Sequence, residues 1–390
     1  MDKKIAIVAV AYNRVNSLVR LLSSISDANY KTSENIHLII SIDKSDTDEV
    51  ENYAEEYLWS HGVKIVDKHP ANLGLRNHMM SLGKWFKKYD ALIVLEDDLI
   101  VAKDFYNYAR QMVSKYSEDS RIAGVSLYSF KLNYLNNQPF EPAYDGNDVY
   151  FMNCAMSWGE IWMRDQWNEF YEWYLTHDDF PIMSHLPLRL CMMGKKSWLK
   201  YHTRYCIEQD KFFVFPYHSL STNFSDIGTH NSGLHYSQYQ VPLSDGIGVT
   251  YRLPELDSSS VVYDGFFENI SIYNSLGFNK SELCIDLNGT RSDIPNERYW
   301  LTTQIRDLKI VSIFKDELRP IEQNVLKKRN TSVGGAIFLY DTTQEQKNKH
   351  KSNIHLYRYY LGDIIPFLRV YGELRVVKEY CRHYLKRLIR

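Results

Sequence analysis

Short apolar runs alternate with helical periodicities through the first 130 residues of the chain. Residues 4–11 (KIAIVAVA) form a continuous apolar run, the mark of a strand buried on both faces. Leu18, Leu21, Leu22 and Ile25 then recur at helical spacing. Residues 37–43 (HLIISID) predict a second strand, and 46–60, opening on Asp and Glu, a polar helix. The pattern continues with a strand at 63–66, a helix at 77–87, a strand at 91–95 (ALIVL), an amphipathic helix at 103–115 and a strand at 122–128. Such alternation implies an α/β fold with a mostly parallel, doubly wound sheet covered on both sides. Ligands of such sheets sit beyond the carboxyl ends of the strands.

Further along, 133–151 lapses into Asn, Pro, Gly and Asp and reads as a loop. The aromatic and acidic stretch 158–174 reads as a helix, and 212–216 as a short strand. Past Pro242 the pattern weakens; 259–267 and 336–340 suggest strands but carry no motif. Residues 354–390 set Leu361, Ile365, Leu368, Leu385 and other apolar positions among Lys and Arg. The expected division is a catalytic domain over 1–242, an accessory region over 243–350 and a basic amphipathic C-terminal helix over 351–390.

Composition narrows the class. A chain of 390 residues can hold a catalytic domain of roughly 200–250 residues and something smaller. The 30 Tyr and 8 Trp suit either a site that stacks on rings or ordinary packing. A net charge of -2 argues against a whole-protein nucleic-acid binder. Five scattered cysteines without CxxC spacing indicate neither a zinc site nor a disulfide framework. The N-terminal apolar run is too short for a secretory leader, and no stretch approaches the ~20 apolar residues needed to span a bilayer. A cytoplasmic location is expected.

The sharpest chemical feature is Leu95-Glu96-Asp97-Asp98-Leu99, three acids directly after an apolar strand. Clustered like charges at a strand end repel one another and call for a positive partner. A hard divalent cation, shared between one or two carboxylates and a ligand's phosphates, is one such partner. The plain alternative is that Asp98 caps a following helix.

The run VLEDDLIVAKDFYNYA resembles the Glu-Asp-Asp segment of the N-acetylglucosaminyltransferase I-like family and, equally, of bacterial family 2 sugar transferases. Ser157-Trp158-Gly159-Glu160-Ile161-Trp162 is similar to the SWGWATW element of the bacterial group, and VFPYHSLSTNFSDIGTH to its YPxxSLVxNIGxDGSGTH element. Together these cover residues 4–232 in the family's order. The resemblance implies a GT-A (nucleotide-diphospho-sugar transferase) fold and a glycosyltransferase using Mn²⁺ or Mg²⁺. Asp98 would be the direct metal ligand, and Glu96 and Asp97 would lie at the donor.

On the same resemblance Ala11, Tyr12, Asn13 and Arg14 meet the nucleoside of a nucleotide diphosphate sugar, a UDP-sugar foremost. Asp43 would contact the base or ribose, where a carboxylate can accept from an imide N–H or a hydroxyl. Its alternative role is a turn or helix cap. Asn72-Leu73-Gly74-Leu75-Arg76-Asn77 follows the N-x-G-x-(R/K)-N pattern of family 2 transferases. The glycine allows a tight reversal, and Arg76 can reach a pyrophosphate. No GxGxxG or GxxxxGK[ST] stands near the first turn, which counts against dinucleotide oxidoreductases, P-loop enzymes and most sugar nucleotidyltransferases.

On the acceptor side, Trp158 and Trp162 suit sugar stacking, or a core stripe, being four apart. His230, in the GTH element, is placed by the resemblance near the metal or the donor phosphate. An inverting transferase needs a carboxylate to take the acceptor's proton. The family carries one just before a Trp, but Lys195-Lys196-Ser197-Trp198 has none. Glu160 is the first substitute, followed by Asp178 and Asp179.

The expected function is transfer of a hexosyl or N-acetylhexosaminyl group to a glycan or lipid-linked glycan in bacterial surface polysaccharide synthesis. A catalytically inactive GT-A module and a sugar nucleotidyltransferase remain the alternatives. The basic tail fits either an anionic membrane surface, giving a peripheral enzyme on the inner face, or docking on the protein itself.

Overall fold

The computed structural model describes residues 3–30, 35–224, 226, 239–332, 334–349, 359, 360 and 378. The chain forms two compact units, Met1–Ser275 and Leu276–Arg390.

The first unit is built on nine strands: β1 (Ile5–Ala11), β2 (Ile36–Ile42), β3 (Gly62–Lys68), β4 (Ala91–Glu96), β6 (Ile122–Ser126), β9 (Val149–Met152), β10 (Glu160–Met163), β11 (Phe212–Pro216) and β13 (Val262–Tyr263). Two small pairs make up the missing numbers, β5 (Leu99–Val101) with β12 (Ser221–Asn223), and β7 (Leu132–Asn133) with β8 (Gln138–Pro139). The main sheet runs β13-β9-β11-β6-β10-β4-β1-β2-β3. Strands β4, β1, β2 and β3 are mutually parallel, so their carboxyl ends line one edge.

Alternate side chains of each strand enter different layers. Ile5, Ile7, Ala9 and Ala11 of β1 pack with α1 (Val15–Ser26), α2 (Glu49–Glu56) and α4 (Phe105–Tyr116). Ala6, Val8 and Val10 pack instead with α3 (Gly74–Ser81), α5 (Arg164–Tyr174) and α7 (Leu199–Glu208); a single turn, α6, spans Leu188–Cys191. The α/β class with a mostly parallel sheet covered on both faces is therefore what the chain adopts.

Two elements differ from the sequence expectation. The stretch expected as one helix over 158–174 begins with β10, which lies antiparallel between β4 and β6. Ile161 and Met163 enter one layer and Trp162 the other, so the period is two, and the Trp158/Trp162 spacing is not a helical face. The expected loop over 133–151 closes as β9, whose Val-Tyr-Phe-Met run is fully buried.

In the second unit a five-stranded sheet takes the order β14-β15-β18-β16-β17, from Leu283–Asp286, Tyr299–Thr302, Ile337–Glu345, Leu308–Phe314 and Asn330–Thr331. Trp300, Phe338 and Tyr340 fill its core. Of the expected basic helix over 351–390, only Tyr359, Tyr360 and Lys378 are among the described residues.

Candidate active site

The parallel register sets Val10 beside Glu96 and Ala11 beside Ile42, which brings the ends of β1, β2 and β4 together. The amide of Asp43 donates to Ala11 O at 3.0 Å, tying two of the turns that follow.

Glu96, two residues after Val94, shares its face toward α7. Burial, then the charges of Asp98 and Asp97, push its carboxyl up to about 8, although Trp198 donates to it and Arg14 opposes the shift. Asp97 is 4% exposed, and burial raises it to about 6 against the pull of Arg14. The Arg14 guanidinium ion-pairs with Asp97 and lies 3.4 Å from Asp98 Oδ2. The acidic cluster thus has a cationic partner supplied by the chain.

Asp98 leads into β5 rather than a helix, so it caps no helix. Its main-chain oxygen accepts from Phe224 N at 2.8 Å, and its buried Oδ1 has no hydrogen-bond partner. An orphaned carboxylate oxygen at a strand end is a ready ligand for a hard cation. Among the described residues no three His, Cys, Asp or Glu side chains are grouped to hold a metal, and His230 lies outside them. The residues present fit an ion held by one or two carboxylates whose remaining ligands come from phosphates and water.

Tyr12 and Asn13 follow β1, the first half-buried and the second exposed. Asp43 is buried and turned onto the next loop. Its Oδ1 accepts from the amides of Lys44 and Leu73 and its Oδ2 from Gly74, at 2.8–3.0 Å. Asn72 donates to Lys44 O at 2.8 Å, and Gly74 adopts φ +73, the left-handed region that favours glycine. Asp43 therefore holds the entry to α3, the helix that carries Arg76. Arg76 Nη1 donates to the Tyr201 hydroxyl at 2.9 Å.

Trp158 sits at the same edge, partly exposed, its ring 4.8 Å from those of Tyr128 and Tyr239. Trp162 is instead 1% exposed and stacked on Trp167, with ring centroids 4.0 Å apart. Glu160 lies opposite Val94, just beneath the strand ends. Trp162 Nε1 donates to it, and His202 Nδ1 is 3.8 Å away. Burial drives the Glu160 carboxyl well above the carboxylate range; Trp162 opposes this and Glu96 adds to it. Asp178 and Asp179 are exposed. Their main-chain oxygens accept from the Tyr201 hydroxyl and Arg204 Nη1, which sets them near Arg76.

Sequence reasoning missed four groups at this edge. Asp226 pairs with Arg20 and accepts from Ser17 Oγ at 2.7 Å. It stands inside the SLSTNFSDIGTH motif, which was the available signal. Nothing local marks Ser17 or Arg20, and Trp198 was singled out only for the acid missing before it; all three reach the site through folding.

Residues 6–176 match the model of glycosyl transferase family 2, the family whose bacterial members the motifs resemble. No curated protein matches the chain. Mannosyltransferase PcManGT from Pyrobaculum calidifontis, in complex with GDP-Man and Mn²⁺, is 10% identical over 55% of each chain, with a TM-score of 0.36. S. aureus TarS 1–349 in complex with UDP-GlcNAc is 12% identical over 60% of this chain and 62% of its own, with a TM-score of 0.37. GalNAc-T7 with UDP, GalNAc and Mn²⁺ is 16% identical over 55% of this chain and 42% of its own, with a TM-score of 0.37. The chain spans less than two thirds of each of these structures. None of them carries the expected likeness to the N-acetylglucosaminyltransferase I-like family.

Proposed function

We propose that this chain, whose residues 6–176 match glycosyl transferase family 2, moves a sugar from a nucleotide diphosphate sugar to an acceptor hydroxyl. The observation that carries the reading is the acidic cluster at the carboxyl edge of β4, with the free Oδ1 of Asp98 at its tip. The turn Ala11–Arg14 and Asp43 receive the nucleoside, and Arg76 the diphosphate. Asp98, beside Asp97 and Glu96, holds Mn²⁺ or Mg²⁺, with His230 as a further ligand on the motif's resemblance. Such an ion, when bound, offsets the charge that grows on a departing diphosphate.

Trp158 offers an aromatic edge to the acceptor. Of the three acids considered for the base, Asp178 and Asp179 are open to solvent while Glu160 is enclosed, which favours the pair. One of the pair takes the proton from the acceptor hydroxyl as its oxygen bonds to the anomeric carbon and the nucleoside diphosphate leaves. The transferred group is hexosyl or N-acetylhexosaminyl, and the acceptor a glycan or lipid-linked glycan of a bacterial surface polysaccharide. The enzyme works in the cytoplasm, peripheral to the inner face of the membrane. Among the described residues no helix is long and apolar enough to cross a membrane.

A thermal-shift panel of UDP-, GDP- and dTDP-sugars with and without Mn²⁺ tests this reading. One donor stabilising the protein only with metal supports it, and no shift under either condition overturns it. Nucleotide-sugar hydrolysis that disappears in Asp98→Ala with the fold intact separates an enzyme from an inactive glycan-binding module.

A further inference from the structure

Lys200 stands at the start of α7 and is only 4% exposed. A buried ammonium is ordinarily neutralised by a carboxylate. Among the described residues no carboxylate pairs with Lys200 or with Arg76. Among the described residues Lys200 Nζ donates only to Met193 O at 3.4 Å, a long contact for a charged donor. Its Nζ lies 4.7 Å from the Phe180 ring centroid and 5.4 Å from that of Tyr201.

Arg76 approaches the same ring, with Cζ 5.4 Å from the Tyr201 centroid. Among the described residues its guanidinium makes one hydrogen bond, to the Tyr201 hydroxyl, which in turn donates to the main-chain oxygen of Asp178. Most of the Arg76 fork is thus uncommitted. Burial, then the charge of Arg76, pushes the Lys200 ammonium below its usual range. Two cations share one aromatic ring, repel each other and, among the described residues, are ion-paired to no carboxylate.

We infer that Arg76 and Lys200 form an anion seat for phosphate oxygens, with Arg76 presenting a planar fork and Lys200 a point charge beneath it. Those oxygens come from the donor's diphosphate or from a phosphate on the acceptor. The assignment to Arg76 rests on the glycosyl-transfer reading, while the participation of Lys200 is new to it.

The test titrates inorganic pyrophosphate, and separately UDP, into the protein by calorimetry with a chelator present, so that neither sugar nor metal takes part. Pyrophosphate should bind the unaltered protein about tenfold more tightly than Lys200→Met, which keeps the apolar stem, and Lys200→Arg should recover most of the loss. Arg76→Gln, at a partly exposed position, should weaken binding similarly and serves if Lys200→Met does not fold. UDP losing the same factor and competing with pyrophosphate assigns the seat to the donor. UDP binding unchanged beside bound pyrophosphate assigns it to the acceptor's phosphate. Absence of pyrophosphate binding, or equal binding by folded Lys200→Met and Arg76→Gln, overturns the seat. Pyrophosphate binding without any response to nucleotide sugars would uphold the seat while removing the glycosyl-transfer reading.

Discussion

Arg14 and Asp97 lie 83 positions apart and form an ion pair at the ends of two neighbouring parallel strands. The aspartate is almost wholly buried, so removing Arg14 strands its charge in a poorly solvated place, while removing Asp97 leaves the partly buried Arg14 with only the longer contact to Asp98. Asp97→Leu and Arg14→Met should each cost about 2 kcal/mol of stability. The double variant should lose less than the sum of the two. Urea unfolding of the three proteins reads the coupling.

Asp98 behaves differently, because its buried Oδ1 satisfies nothing in the fold. Asp98→Asn should leave Tm unchanged or raise it, since a like charge beside Asp97 and Glu96 is removed. Mn²⁺-dependent binding of the nucleotide sugar should fall at least about tenfold. A Tm loss as large as that of Asp97→Leu would instead make Asp98 a structural residue.

Asp43 accepts three main-chain amides, two of them at the entry to α3. Asp43→Ala should therefore destabilise the first unit by about 2 kcal/mol. Nucleotide affinity should fall as well, because Arg76 is carried by the same helix. Circular dichroism melts alongside nucleotide titration check both effects.

His202 is 1% exposed, and neither ring nitrogen has a hydrogen-bond partner. Burial holds it at about 3, whereas the unfolded chain takes up this proton near 6.5. Its neutral burial therefore weighs against folding increasingly as pH falls from 6.5 toward 3. His202→Phe keeps the stack on Phe170, where the ring centroids are 4.1 Å apart, and removes the titration. The variant should gain about 3 °C in Tm over the unaltered protein at pH 5 relative to pH 8.

The strands that end around the acidic cluster were legible because each is a short apolar run ending in polar chemistry. The ends of β1, β2 and β4, at Ala11, Ile42 and Glu96, fall within a residue of the pattern's own boundaries. β10 was illegible because its four residues are continuous with a helix and carry aromatic side chains on a near-helical spacing. Local sequence named Arg14 but gave no hint that it would meet Asp97, since that pairing depends on which strands become neighbours. Lys200 escaped for the same reason, and so did the contact of Trp198 with Glu96: both depend on α7 being laid against the strand ends. Beside the divalent ion expected for the acidic cluster, the first turn itself supplies a cation, Arg14, that pairs with Asp97.

The four residues Glu160–Met163 also decide when the molecule can assemble. β10 is the seam between β4-β1-β2-β3 and β6-β11-β9-β13, pairing with β4 on one side and β6 on the other. A nascent chain that has emerged only as far as Trp158 holds β1, β2, β3, β4, β6 and β9, but neither β10, which joins β4 to β6, nor β11, which joins β6 to β9. The central sheet becomes continuous only once β10 and then β11 have emerged, and until β10 does so the facing edges of β4 and β6 stand open to mispairing.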